Sequence, residues 1–138
     1  MPPARPSIGM YRWVEHTGEV ELAIEARSER EVFADALAAL VELLGMEGDA
    51  DEERTINATA ADRPALLATW LEELLFGAEA EGFEPVALRE LELGSDSLRA
   101  VVVGHYGKPS PLVKAVTYHR LAFEPADSGY RATVVLDV

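Results

Sequence analysis

The sequence predicts an α+β fold in which two amphipathic helices pack on a mainly antiparallel sheet. Three observations lead to this prediction: short segments of alternating apolar and polar residues, two longer segments with apolar residues at helical spacing, and turn residues between them. The elements follow the order β-β-α-β-α and then a run of strands. That order favours α+β over an alternating α/β fold.

The strands are identified by their alternation. Residues 10–16 and 20–26 alternate in this way, with Thr17 and Gly18 as the turn, and they predict a hairpin. A shorter strand is predicted over residues 54–60. After the second helix the chain turns to strands alone, which are predicted over residues 86–93, 97–105, 113–125 and 130–138.

The two helices are marked by their start and stop signals. Ser28 is placed as the N-cap of the first helix, with Glu31 as its capping-box partner, and Gly45 ends the segment. Asp62 and Pro64 open the second helix. The second helix carries a wide apolar stripe, predicted to be core rather than a partner groove, formed by Leu66, Leu67, Trp70, Leu71, Leu74 and Leu75.

Length and composition bound the kind of protein. With 138 residues, the chain is expected to form one domain over residues 10–138, preceded by a loose Pro-rich tail over residues 1–9. A net charge of −13 argues against a phosphate-tracking surface and favours a basic protein partner or cations. The absence of cysteine excludes disulfides and thiolate metal sites but leaves the redox compartment undetermined. No signal peptide or membrane-length apolar run is evident, so a cytoplasmic location is expected.

Three places hold polar residues that strand alternation alone does not require. The segment EHTGEVE crowds His16 and three carboxylates into one turn, which a solvated hairpin end would also explain. The segment KAVTYH holds Lys114, one of only two lysines, and His119. Asp137 and Val138 place two negative charges at the end of an apolar strand. No phosphate loop, nucleophile elbow or zinc-binding His pair accompanies them.

Four segments together carry a resemblance to a known family. YRWVEHTGEVELAI, LLATWLEELLF, VKAVTYHRLAFE and the final VVLDV, in that order, resemble the archease family from Met10 to Val138. The resemblance implies a small acidic α+β protein that is not itself an enzyme. It implies a protein cofactor of the tRNA-splicing and RNA-repair ligase that joins 2′,3′-cyclic-phosphate ends after guanylation of a histidine. The cofactor would promote that guanylation and repeated turnover, without binding nucleic acid or membrane directly.

The resemblance also implies a metal site at the end of the last strand. In the family, a metal ion is held by the acid of an HTAD motif, the penultimate Asp and the last residue, which correspond here to Glu19, Asp137 and Val138. This chain has HTGE instead, with Gly18 in place of Ala and Glu19 in place of Asp. A ligand set made only of oxygen atoms suits Ca²⁺ or Mg²⁺.

Lys114, His16 and His119 are expected to take part in activation of the partner ligase. Lys114 is a flexible cation that could reach a phosphate or an acidic residue of the partner. Two other functions compete with this hypothesis. One is a metal-dependent hydrolase with His16 or His119 as general base, for which the sequence offers no nucleophile. The other is a chaperone-like module for other partners, which would need an exposed apolar patch.

Overall fold

A computed structural model describes residues 10–45, 48–107 and 113–138. Its helices and strands confirm the predicted fold class. The tail predicted over residues 1–9 lies outside the described residues. In chain order the elements are β1 (Met10–His16), β2 (Glu19–Ala26), α1 (Glu29–Leu44), β3 (Glu52–Thr59), α2 (Arg63–Glu81), β4 (Phe83–Leu93), β5 (Ser97–Tyr106), β6 (Ala115–Ala126) and β7 (Gly129–Asp137).

The strands form two separate antiparallel sheets. The larger sheet has the order β1-β2-β7-β6, and the smaller one has the order β3-β5-β4. The sequence pattern predicted antiparallel strands but did not separate them into two sheets. In the larger sheet, β7 lies between β2 and β6, so the end of the chain pairs with the first hairpin.

Both helices contact both sheets. α1 contacts β1, β2 and β7 of the larger sheet and β4 of the smaller one, whereas α2 contacts β6 and β7 of the larger sheet and β3, β4 and β5 of the smaller one. The indole of Trp70 is fully buried, and its Nε1 donates a hydrogen bond to the carbonyl oxygen of Phe33, at 3.0 Å, which joins the two helices. Neither helix of the described chain is long and apolar enough to cross a membrane.

The helix ends follow the predicted signals, with one correction. The Ser28 hydroxyl accepts a hydrogen bond from the backbone N–H of Glu31 at 3.2 Å, and Asp62 caps α2 in the same way. Gly45 and Gly82 end the helices in the left-handed conformation, with φ of 65° and 72°. The capping box is only half formed, because Oε2 of Glu31 is buried with no hydrogen-bond partner in the described part of the chain.

Candidate metal and partner site

One end of the larger sheet gathers the acidic residues that the sequence singled out. Glu19 on β2 lies directly opposite Asp137 on β7, and His16 on β1 lies opposite Glu19. Ala115 at the start of β6 completes this row on the other side of Asp137. Partners in antiparallel register share one face of a sheet, with Cβ atoms about 4.5–5.5 Å apart. We call this end the acidic tip and define it as Glu19, Glu21, Asp137 and Val138.

Backbone hydrogen bonds fix the strand ends at the acidic tip. The N–H of Val138 donates to the carbonyl oxygen of Gly18 at 3.1 Å, and the N–H of Lys114 donates to the carbonyl oxygen of Asp137 at 2.7 Å. Gly18 has a φ of 74°, which a residue without a Cβ adopts at little cost. The side chain of Val138 packs against the core. The last residue is therefore held against the first hairpin turn.

Strand alternation explains why acids end an apolar strand. On β7, Leu136 is fully buried and faces the helices, so the next residue, Asp137, points to the opposite face. On β2, Val20 faces the core in the same way, and its neighbours Glu19 and Glu21 lie on the outer face. The adjacency of Glu19 and Asp137 that a shared metal site requires is thus present in the fold.

An arginine that the sequence analysis did not identify binds the carboxylates of the tip. Nη2 of Arg120 lies 3.3 Å from Oε1 of Glu19, and its Nε lies 3.0 Å from Oε1 of Glu21. His16 contacts the same Glu21 oxygen through Nε2 at 3.4 Å, and His119 Nε2 lies 2.8 Å from Arg120 Nη1. Both predicted histidines therefore contact this network and lie at the tip.

A bulge in β6 brings Arg120 over the outer face. Pairing of β6 with β7 is regular up to Thr117 and resumes at Ala122, and the residues between them leave the ladder. Arg120 lies within this bulge with a φ of 58°, in the left-handed region that is uncommon for a residue with a Cβ. Its position directly after His119 was the available sequence signal, but only the three-dimensional pairing shows what it contacts.

The ligand set that the sequence analysis predicted consists of oxygen donors only. The described residues contain no group of three or more His, Asp or Glu side chains that could hold a metal ion. The predicted set instead consists of two side-chain carboxylates, Glu19 and Asp137, and the α-carboxylate of Val138. These are oxygen ligands of the kind that Ca²⁺ and Mg²⁺ prefer. Because Ca²⁺ takes about 6–8 oxygen ligands, the coordination positions that these three carboxylates leave unfilled would be taken by water or by a partner.

The remaining predicted site residues differ in their partners. Lys114 is exposed, and its ammonium group makes no ion pair within the described ranges. The Asp137 side chain is half-buried, and its carboxylate likewise has no hydrogen-bond or ion-pair partner among the described side chains. Within the described ranges, both side chains therefore lie at the surface of the tip without an ion-pair partner.

Tyr118 connects the same bulge to α2. Its hydroxyl donates a hydrogen bond to Oε1 of Glu72 at 3.4 Å. Tyr118 is 56% exposed, yet partial burial and then the neighbouring Glu72 carboxylate raise its pKa above the ordinary value of 10.0, against a smaller lowering by a hydrogen bond with Thr69. The hydroxyl therefore stays protonated near neutral pH, and it links the bulge to α2.

Comparisons with known proteins agree with this architecture. The model of the archease protein family matches residues 11–138. The protein archease of Methanosarcina acetivorans is 33% identical over 96% of this chain and 99% of its own length, and that of Methanopyrus kandleri is 32% identical over 91% and 96%.

Two solved structures resemble the fold. The solution structure of Methanobacterium thermoautotrophicum protein 1598 superposes with a TM-score of 0.72 at 26% identity, covering 93% of this chain and 98% of that one. The crystal structure of a Thermotoga maritima archease, named a possible chaperone, superposes with a TM-score of 0.66 at 22% identity, covering 94% and 98%.

Proposed function

The chain belongs to the archease family, and from this premise we propose that it is an accessory protein that activates an RNA ligase of the cyclic-phosphate-joining type. It would promote guanylation of the ligase and repeated turnover in tRNA splicing or RNA repair. The observation that carries the proposal is the placement of Glu19 opposite Asp137, with Val138 bound to the adjoining turn. This arrangement makes one end of the sheet a concentrated anionic surface.

The acidic tip is proposed to hold a divalent cation, Ca²⁺ or Mg²⁺. Glu19, Asp137 and the α-carboxylate of Val138 would supply its ligands. When bound, the ion would neutralise carboxylates that otherwise repel one another and would offer open coordination positions to oxygen atoms of a partner. The protein's own contribution is to fix the carboxylates on one face through strand register and backbone hydrogen bonds.

The charge of the protein supports an encounter with a basic cleft. A site that binds GTP phosphates and metal ions is electropositive when empty, and a protein of net charge −13 is attracted to it over long distances. Lys114 is the flexible cation next to the tip, and we assign it to contact with a phosphate or an acidic residue of the ligase. His16 and His119 are assigned to keep the surrounding charges in place through Glu21 and Arg120.

The competing functions have less support. A hydrolase would need a nucleophile and a fuller metal ligand set than the described part of the chain provides. A chaperone-like surface would need a contiguous apolar patch. Among the described residues, four large apolar side chains are exposed, Met10, Phe76, Tyr106 and Tyr118, and the hydroxyl of Tyr118 bonds to Glu72 on the helix that carries Phe76.

The test is multiple-turnover RNA joining by the cognate ligase, with guanylated ligase measured in parallel. The wild-type protein in catalytic amounts is expected to stimulate both. Asp137→Ala and Lys114→Ala are each expected to abolish the stimulation while the protein remains folded. Raising the salt concentration should weaken stimulation by the wild type, because salt screens long-range attraction.

Two matched controls separate the tip from the general charge of the protein. Asp127→Ala removes an exposed carboxylate from the turn at the opposite end of β7, and Arg99→Ala removes an exposed cation from the smaller sheet. Both should stimulate like the wild type. Full stimulation by Asp137→Ala and Lys114→Ala would refute the role of the tip. No stimulation by the wild type would refute the proposed function itself.

A further inference from the structure

We infer that Arg120 is a built-in counter-cation of the acidic tip, which competes with a divalent cation for Glu19 and so sets the affinity of the site. The inference deepens the proposed function, because it concerns the same carboxylates. It rests on contacts of this chain alone: one guanidinium contacts two carboxylates that the strand register places on one face.

The outer face of the larger sheet brings like charges together at the tip. Glu19 and Asp137 are directly opposite, and like charges in that relation destabilise a sheet. Glu21 follows two residues later on the same face of β2 and adds a third negative charge. The guanidinium of Arg120 contacts two of these three carboxylates, through ion pairs to Glu19 and Glu21, and His16 Nε2 lies 3.4 Å from the same Glu21 oxygen.

The ion pairs of Arg120 with Glu19 and Glu21 are partly buried. The side chains of Glu19 and Glu21 are only 29% and 20% exposed, and that of Arg120 is 41% exposed. Partly buried charges are screened less by water and salt than fully exposed ones. A cation that approaches Glu19 therefore meets a carboxylate oxygen already bound by Nη2 of Arg120, and it is also repelled by the guanidinium charge.

The backbone of Arg120 adopts an uncommon conformation. Its φ of 58° is the one positive value at a non-glycine residue in the described ranges. Such conformations are strained and persist only where the surroundings enforce them. The bulge between Thr117 and Ala122 places the guanidinium over the outer face, where it reaches β2 across β7. The strained conformation and the ion pairs thus occur at the same residue.

The carboxylates of the tip differ in their contacts with Arg120. Arg120 contacts Glu19 and Glu21, whereas the described residues provide no ion-pair partner for Asp137. A metal ion would therefore meet Asp137 first and displace Arg120 only from Glu19. Glu21 is not among the proposed metal ligands, so it would retain the displaced guanidinium. This gives Glu21 a role as the second anchor of Arg120.

Calorimetric titration of the full chain with CaCl₂ tests the inference. We expect Arg120→Gln to bind Ca²⁺ about tenfold more tightly than the wild type, a change equivalent to about 1.4 kcal/mol. Arg120→Gly should bind Ca²⁺ more tightly as well. Glycine adopts the left-handed conformation at little cost, so this second variant remains informative if Arg120→Gln folds poorly. The matched control is Arg131→Gln, which removes an arginine paired with Glu25 on the same sheet face at 3.8 Å and should change Ca²⁺ affinity less than twofold.

Thermal unfolding without metal supplies a second readout. Arg120→Gln should melt below the wild type in low salt, because the carboxylates of the tip lose their counter-charge, and the difference should shrink in saturating Ca²⁺. Unchanged or weaker Ca²⁺ binding by both Arg120 variants would overturn the inference, as would the absence of Ca²⁺ binding in every variant. Failure of ligase stimulation, together with tighter binding by the Arg120 variants, would leave this inference standing and refute the proposed function alone.

Discussion

The helix layer, formed by α1 and α2, and the acidic tip both depend on β2 and β7, but in different ways. Along β2 and β7, one set of alternate residues faces the helices, and Leu22 and Val134 are completely buried there. The other set faces outward and ends in Glu19 and Asp137. The core draws its stability from many apolar contacts, whereas the tip depends on a few individual charges. Stability and function should therefore respond to different substitutions in this chain.

The largest expected effect breaks the core and leaves the charges of the tip in place. Trp70→Ala removes a fully buried indole and the hydrogen bond between the helices, and it should lower the free energy of unfolding by about 3–5 kcal/mol. Denaturant unfolding measures this change. Phe76→Ala on the same helix is the control, because that side chain is 61% exposed, and the expected change is within about 0.5 kcal/mol. An equal free energy of unfolding for Trp70→Ala and wild type would contradict the complete burial of the indole.

The next effect concerns the tip and should leave the core intact. Asp137→Asn keeps the shape of the side chain but removes the charge that faces Glu19, so Ca²⁺ binding should weaken at least tenfold, by about 1.4 kcal/mol or more. The stability without metal should stay within about 0.5 kcal/mol of the wild type or rise slightly, because a like-charge pair is removed. Asp127→Asn, in the turn at the other end of β7, is the control for both measurements. Wild-type Ca²⁺ affinity in Asp137→Asn would place the metal elsewhere.

Local sequence signals predicted most of the fold. Ser28, Gly45 and Asp62 mark helix ends through hydrogen bonds and backbone conformations that depend on neighbouring residues only. Strand alternation likewise depends on each segment alone. The division into two sheets could not be predicted in this way, because it depends on which strands pair across the chain. The wide apolar stripe of α2 was consistent with a helix covered on both sides, but the sequence analysis assigned it one covering sheet.

The candidate site was predicted less completely, for a related physical reason. The convergence of Glu19 and Asp137 came from the family resemblance, and the register of β2 with β7 accounts for it in the fold. Binding of a metal ion there stays a prediction. Arg120 was missed because its contacts join residues about a hundred positions apart and need a three-dimensional bulge in β6. Alternation treats residues 118–121 as ordinary strand and gives no direction for their side chains.

The smallest expected effect concerns Tyr118, which connects the bulge in β6 to α2. Tyr118 belongs to the bulge that positions Arg120, yet its hydroxyl contacts Glu72 on α2. Burial, followed by the Glu72 carboxylate, disfavours the phenolate, so the pKa of Tyr118 in the folded protein lies above 10.0, its ordinary value. The folded state then holds this proton more tightly than the unfolded state. The resulting stabilisation is fully present below about pH 10 and is lost as the pH rises through the folded pKa.

Absorbance at 295 nm, which follows tyrosinate formation, measures this shift as a difference between wild type and Tyr118→Phe. The component lost in Tyr118→Phe should titrate above pH 10, and Glu72→Gln should bring it back part of the way, because burial remains. Ca²⁺ binding should be the same in Tyr118→Phe and wild type, because the phenol contacts α2 rather than the carboxylates of the tip. A lost component that titrates at or below the ordinary value would show that the bulge does not hold Tyr118 against α2. Altered Ca²⁺ affinity would show instead that the helix layer and the acidic tip are coupled through this residue, and the two regions would no longer be separable.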